Sequence, residues 1–437
     1  MKHTLLILNP GHFHAALVFR ESHPSLSDEI FVYSEGGPDL DRFLDIVRSY
    51  NQRESNPTRW KIHVNQGPDA LEKLIQERKG EVVVLAGRND TRMELIERLN
   101  GAGFIILADK PWVTTDNSLP YLNSAMNEDR PLTLDIMTER YEITNILQKR
   151  LVASKDIFGD VRVDTDGSPS VITESVHHLY KIVNNQPLVR SPWYFDVAVQ
   201  GEGIIDVSTH LVDLTHWMLF PATPIDYTTD IQLLKGRRWS TKVPLDTFRK
   251  ITLTDGFPDS VMTDVAEDTL HYFCNGDIQY RVKGVPVHIR ALWNLEIPEG
   301  GGDTHYSYIK GTRSDVLIRQ LPETGFRAEL LVIPRVDPDE ILDTVKTHLS
   351  LWSDTYPGLS VQKEKDKWRI QIPDEFRTTH EEHFYMVRNA FFEYLDAGRQ
   401  PPETRPCIVS KYTLLAKARE KALASPFEPL TLPEKIV

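Results

Sequence analysis

Residues 81–112 read EVVVLAGRNDTRMELIERLNGAGFIILADKPW, and the parsing of this stretch decides the fold. Glu81 to Ala86 is a short apolar, β-branched run of the kind that forms a strand buried on both faces. Thr91 to Asn100 has apolar residues at helical spacing and stops at Gly101, and Phe104 to Ala108 is again a buried strand. Strand, helix and strand in this order make a βαβ unit, which specifies parallel pairing.

The same alternation extends outward in both directions. Toward the N-terminus, Leu5 to Leu8, Ile30 to Tyr33 and, more weakly, Lys61 to Val64 read as strands. His14 to Glu21, Leu40 to Tyr50 and Asp69 to Arg78 read as the helices between them. Toward the C-terminus, Pro131 to Asp135 is a sixth strand and Glu142 to Val152 a helix leading out. Residues 1–140 are thus expected to form a Rossmann-like doubly wound parallel sheet, with ligands at the carboxyl ends of its strands. Residues 141–437 are expected to form an α+β domain for substrate binding and oligomerisation. Beyond Phe220 the pattern changes to long strands at Thr269–Cys274, Ile278–Lys283, Val287–Glu296, His305–Lys310, Asp315–Gln320 and Arg327–Ile333. Asn275-Gly276-Asp277 is the expected turn between the first two. The result is a large open, mostly antiparallel sheet, closed by helices at Glu340–Leu351, Glu381–Asp396 and Lys411–Ala424.

Composition narrows the classes. The net charge of −13 comes without basic runs, which speaks against nucleic acid and anionic membrane surfaces as partners. Two cysteines, Cys274 and Cys407, are too few for a disulfide framework or a cysteine-based metal site. The apolar N-terminal run breaks at Asn9-Pro10-Gly11, too early for a secretory signal, and no stretch is long enough to span a bilayer, so a cytoplasmic protein is expected.

Four places carry candidate chemistry. The turn after the first strand, where a dinucleotide pyrophosphate would sit, reads Asn9-Pro10-Gly11-His12-Phe13-His14, with one glycine where three are usual. Glu35, after the second strand, is placed to accept hydrogen bonds from an adenosine ribose and suits NAD better than NADP. After the fifth strand comes Asp109-Lys110-Pro111, in which the proline ends regular structure and aims the lysine into the cleft. Residues 201–217, GEGIIDVSTHLVDLTHW, read as a helix with Asp206 and His210 one turn apart on one face and Asp213 and Trp217 on a neighbouring stripe. A carboxylate beside an imidazole is suited to acid–base chemistry.

Strand, Asn100-Gly101-Ala102-Gly103, strand and Asp109-Lys110-Pro111, followed by GEGIIDVSTHLVDLTHW, resemble the glucose–fructose oxidoreductase / inositol dehydrogenase superfamily. Its first domain ends in Glu-Lys-Pro, and its second signature carries Asp-x-x-x-His; Asp109 stands here in place of the glutamate. The resemblance implies an NAD(P)-dependent oxidoreductase that takes a hydride from a carbinol carbon of a sugar, sugar derivative or cyclitol. Lys110, Asp206 and His210 would be the catalytic residues. Asn9, Gly11, His12, Phe13, His14, Glu35, Asp109, Lys110 and Pro111 would hold NAD or NADP, and no metal is called for. His177, His178, Tyr180, Lys181, Trp193 and Asp206 are the candidates for substrate binding. The superfamily's pairing of such sheets implies a homo-oligomer formed through the C-terminal sheet.

Other readings remain at this stage. A variant of the first is a glycoside-cleaving enzyme that oxidises and re-reduces its substrate on tightly bound NAD. A second is a metal-dependent hydrolase, with His12 and His14 as a metal pair completed by His177, His210 and Asp213; it requires a (βα)₈ barrel. A third is a regulator that binds the cofactor without turnover.

Overall fold

The computed structural model describes residues 2–183 and 186–424. Six parallel strands form the first sheet: β1 (His3–Leu8), β2 (Leu26–Ser34), β3 (Lys61–Gln66), β4 (Val82–Leu85), β5 (Ile105–Ala108) and β6 (Thr133–Asp135). Their order is β3-β2-β1-β4-β5-β6. Every residue of β4 is buried, as the run of valines demands in a strand covered on both faces. The strand order reverses between β1 and β4, which opens the crevice at their carboxyl ends. Of the connecting helices, α1 is a single turn, His14–Leu17, shorter than its sequence pattern suggests. Beyond it Val18 and Phe19 stay buried, and the guanidinium of Arg388 donates to the carbonyls of Val18 and Glu21, so those oxygens are satisfied without a continuing helix.

The second sheet has ten strands and is mostly antiparallel. Its centre is β7 (Val171–Tyr180), parallel to Val285–Glu296 on one side and antiparallel to Thr304–Ile309 on the other. This strand, the edge strands Ile231–Pro244 and Ser360–Glu364, and Lys367–Gln371 beside the latter have no counterpart in the sequence reading. The expected turn at Asn275-Gly276-Asp277 is also absent: one strand, Thr269–Val282, runs straight through it. Each supposed turn residue has a different task. Gly276 lets the strand lie against Ile204, whose Cα a side chain would overlap. The side chain of Asn275 donates to Trp239 O and Thr241 Oγ1, and Asp277 is buried beside His288 Nε2 at 2.5 Å. The reversal falls later, at Lys283-Gly284, where both residues have positive φ, 46° and 83°.

Two late helices tie the molecule together. His380–Asp396 returns to the first sheet, where Phe384, Val387, Phe391 and Phe392 join the cluster of Leu5, Ile7, Val32, Val82 and Val84. Thr404–Leu423 runs beside the strand Ile231–Pro244 and buries Lys411, whose ammonium lies 2.6 Å from Asp135 on β6 and 2.8 Å from Asp213. Among the described residues no helix is long and apolar enough to cross a membrane.

Candidate active site

The end of β5 is clamped before any side chain reaches the cleft. The buried guanidinium of Arg92 donates to the carbonyls of Asp109 at 2.5 Å, Gly87 at 2.6 Å and Leu85 at 3.2 Å, so it fixes the carboxyl ends of β4 and β5 together. The Lys110–Pro111 peptide is cis. From this fixed end Lys110 Nζ reaches Asp206 Oδ1 at 2.6 Å, with both side chains largely shielded from solvent.

Asp206 comes from the second half of the chain. The helix expected over residues 201–217 begins only at Ser208, and residues 203–207 form a turn pressed against the open sheet. Gly203 allows this, since a Cβ there would overlap the Cys274 carbonyl. Asp206 therefore does not share the helix with His210 as the four-residue spacing suggested: it meets Lys110 from the preceding turn, and His210 follows on the helix. Its Nδ1 is buried and meets no hydrogen-bond partner among the described residues. Burial first, then the neighbouring Lys110, push its pKa down to about 3 although Glu139 opposes them, so the ring is neutral near pH 7. Asp213 is occupied elsewhere, held by Arg140 at 2.6 Å and Lys411 at 2.8 Å, and Trp217 lies under the Lys149 ammonium.

At the first turn, Asn9 adopts φ 43°, and its side chain accepts from the Glu35 N–H at 3.0 Å and donates to Glu35 Oε1 at 3.5 Å. The N–H groups of Gly11 and His12 both bond to the Ala86 carbonyl, at 3.1 and 3.2 Å. Gly11 lies against Gly87, so the loops after β1 and β4 touch. His14 Nδ1 lies 2.8 Å from Asp109 Oδ2, His12 crosses it edge to face at 3.9 Å, and Phe13 is 40% exposed on the outside of the turn. Burial would raise the Asp109 carboxyl, but His14, with His12 and Arg92, together outweigh it and hold the pKa below the usual carboxylate range.

His177 and His178 on β7 and Lys181 just beyond it converge on Asp303, at 3.4, 3.0 and 2.6 Å respectively. Burial works against the ionised carboxylate, and His177 and Lys181 more than offset it. Tyr180 stacks under Lys250. Trp193 donates from Nε1 to Asp39 Oδ2 at 3.1 Å, at the start of α2 (Pro38–Gln52), and so spans the two halves of the chain.

Several residues escape the sequence reading. Glu139 lies 3.4 Å from His380 on the returning helix, and His380 in turn stands 5.8 Å from the His14 ring. His305 on the open sheet has an unpartnered Nε2 among the described residues, and burial drives its pKa down to about 4. Of these, His380, with His383, carried a sequence signal in its place at a helix start, which favours decoration of the helix N-terminus over a part in the site. The hydrolase reading fails on the architecture. Among the described residues the strands form two large open sheets and one two-stranded ribbon, none of them a barrel, and His177 and Asp213 are committed to Asp303 and to Arg140 with Lys411.

A doubly wound parallel sheet with a lysine at the end of its fifth strand, joined to a large open sheet that sends an aspartate to meet it, defines a class of Rossmann-type oxidoreductase. The family model described as "Putative oxidoreductase C terminal domain" matches residues 147–423. The chain belongs to this family of oxidoreductases, which fits the resemblance to the glucose–fructose oxidoreductase / inositol dehydrogenase superfamily. A crystal structure of a protein of like description from Parabacteroides merdae ATCC 43184 is similar over 97% of this chain and 98% of that one, with 40% identity and a TM-score of 0.93. Levoglucosan dehydrogenase, in complex with NADH and levoglucosan, shares the fold at 14% identity, with 97% and 98% coverage and a TM-score of 0.62. Biliverdin reductase from Synechocystis sp. PCC 6803, in complex with biliverdin and NADP+, shares it at 10% identity, with 96% and 98% coverage and a TM-score of 0.57. No curated protein matches the chain.

Proposed function

We propose that this chain is an NAD(P)-dependent oxidoreductase acting on a carbinol carbon of a sugar, sugar derivative or cyclitol. The observation that carries the reading is the Lys110–Asp206 ion pair at 2.6 Å beside a neutral His210 whose Nδ1 is buried and unpartnered among the described residues. A substrate hydroxyl satisfies that orphaned nitrogen, and His210 then takes its proton as general base. Lys110 stabilises the alkoxide that develops on the same oxygen, and Asp206 fixes the direction of the lysine. A bound nicotinamide would accept the hydride from the carbinol carbon.

The residues at the ends of β1, β2 and β5 fit a dinucleotide in part. Glu35, steered by Asn9, presents an exposed carboxylate at the tip of β2, the right acceptor for ribose hydroxyls. Gly11, His12, Phe13 and His14 would line the turn, with Asp109, Lys110 and Pro111 at the nicotinamide end. For the substrate, His177, His178, Tyr180, Lys181 and Trp193 are the proposed contacts along with Asp206. Levoglucosan dehydrogenase binds a sugar derivative on this fold whereas biliverdin reductase binds a tetrapyrrole, so the sugar class rests on the Lys110, Asp206 and His210 set and not on the fold. A division near residue 140, a homo-oligomer formed through the open sheet and a cytoplasmic setting complete the proposal.

Acid release of small molecules from the purified protein, with native mass spectrometry of the same sample, tests it. A nicotinamide dinucleotide, bound as isolated or on addition, and NADH formed with a panel of sugars and cyclitols are expected. Failure to bind either dinucleotide overturns the reading. Stoichiometric dinucleotide with cleavage of glycosides and no net NADH selects the oxidation–elimination–reduction cycle.

A further inference from the structure

The turn after β1 departs from a dinucleotide loop by addition as well as by loss. Two N–H groups that could face an anion, those of Gly11 and His12, are spent on Ala86 O, and the His14 imidazole stands where the third glycine would leave room, with the His12 ring beside it. These imidazoles meet a carboxylate from another strand. His12, His14 and Asp109 each offer one donor atom, and the three atoms lie within 4.8 Å of one another, the one such group among the described residues. His14 is held in place between Asp109, at 2.8 Å, and the Phe384 ring, 4.4 Å away on the returning helix.

We propose that His12, His14 and Asp109 bind one divalent transition-metal ion. Two imidazoles and one carboxylate suit zinc, manganese or ferrous iron in preference to magnesium or calcium, which take oxygen donors. Donors at about 2.0–2.2 Å from such an ion lie roughly 3–4 Å apart, so a small rotation of the His12 ring completes the set. Three protein donors leave coordination positions open, the pattern of a site that takes an exogenous ligand. Lys110 lies close enough to act electrostatically on both His12 and His14, which sets the candidate site beside the cleft that holds the Lys110–Asp206 pair. The ligand the open positions suit is an oxygen donor, which a vicinal diol or a dinucleotide pyrophosphate equally supplies.

Metal binding can be measured without turnover and without dinucleotide, so its outcome is independent of the proposed reaction. Chelator-treated protein is titrated with Co2+ alone and followed by visible absorption, then with Zn2+ by calorimetry. One equivalent of Co2+ with a d–d spectrum, displaced by Zn2+, is expected, together with a rise in Tm. The signal is expected to vanish in His12→Ala and His14→Ala and to persist in His177→Ala. His12→Gln, which keeps an acceptor for the His14 N–H, should melt close to the metal-free wild type when unliganded and still lose the Co2+ signal, and this separates loss of a ligand from loss of fold. Absence of stoichiometric binding, or equal binding by wild type, His12→Ala and His14→Ala, overturns the site. Addition of NAD+ or of a cyclitol to the Co2+ protein then identifies the oxygen source by which one changes the spectrum. A spectrum that neither ligand alters overturns the open positions.

Discussion

The ammonium of Lys110 and the imidazole of His210 reach one cleft from different halves of the chain, one at the end of β5 and the other on the helix behind Asp206. Lys110→Met and His210→Ala should each lower kcat by about 10²–10⁴-fold, the range for a lost general acid–base partner, with an unchanged far-UV spectrum. Near-wild-type turnover in either would remove that residue from the chemistry. The buried imidazoles also set a pH dependence. His210 and His216 are held down to about 3 by burial, and His305 to about 4, whereas the unfolded chain protonates all three below about 6.5. The unfolded state therefore binds more protons between these values, and stability is full above pH 6.5 and declines as pH falls toward 4. The decline should approach about 1.4 kcal/mol per pH unit for each imidazole, and Tm measured from pH 7 to 4 checks it. A flat Tm over this interval would mean that the imidazoles take up protons in the folded state. Lys110 was legible in sequence because a proline follows it at a strand end. Glu139, His305 and Arg92 were not, because their roles depend on which distant carbonyl or ring the fold brings beside them.

At the scale of elements, the repeating βα units were readable, since short valine-rich runs fit only strands covered on both faces. The open sheet was less so. Asn275-Gly276-Asp277 has the composition of a turn, and nothing local distinguishes a glycine that bends the chain from one that lets another backbone pass. That close passage holds the turn bearing Asp206 against the strand Thr269–Val282. Gly276→Ala must push Ile204 away and carry Asp206 with it. Loss of a few kcal/mol, by analogy with overpacked cores, is expected together with a drop in kcat larger than any change in dinucleotide affinity. Unchanged melting and turnover would show that the turn is held by other contacts. The early start expected for the Asp206–His210 helix has the same origin: four-residue spacing describes an ideal helix, and Gly203 is used for packing instead.

At the scale of the molecule, Lys411 joins Asp135 on β6 to Asp213 on the Ser208–Leu219 helix, in a place where all three are buried. Lys411→Met leaves two carboxylates with Arg140 as the remaining cation and should cost roughly 3–5 kcal/mol, read as a lower denaturation midpoint. A midpoint unchanged in Lys411→Met would show that Arg140 suffices. This long-range pairing had no trace in the sequence, where Lys411 is one more cation on a helix. The return of His380–Asp396 to the first sheet was equally hidden, since an amphipathic helix does not declare which apolar surface it will cover. That return has a consequence for biosynthesis. A ribosome delivers the first sheet early and the helix that covers Leu5, Ile7, Val32 and Val84 near the end, so for most of translation a nascent chain displays a naked hydrophobic face to the cell. A chain stopped at Arg377 should emerge aggregated or chaperone-bound where one that continues through Val437 is dispersed, and sedimentation of the two translation products would decide it.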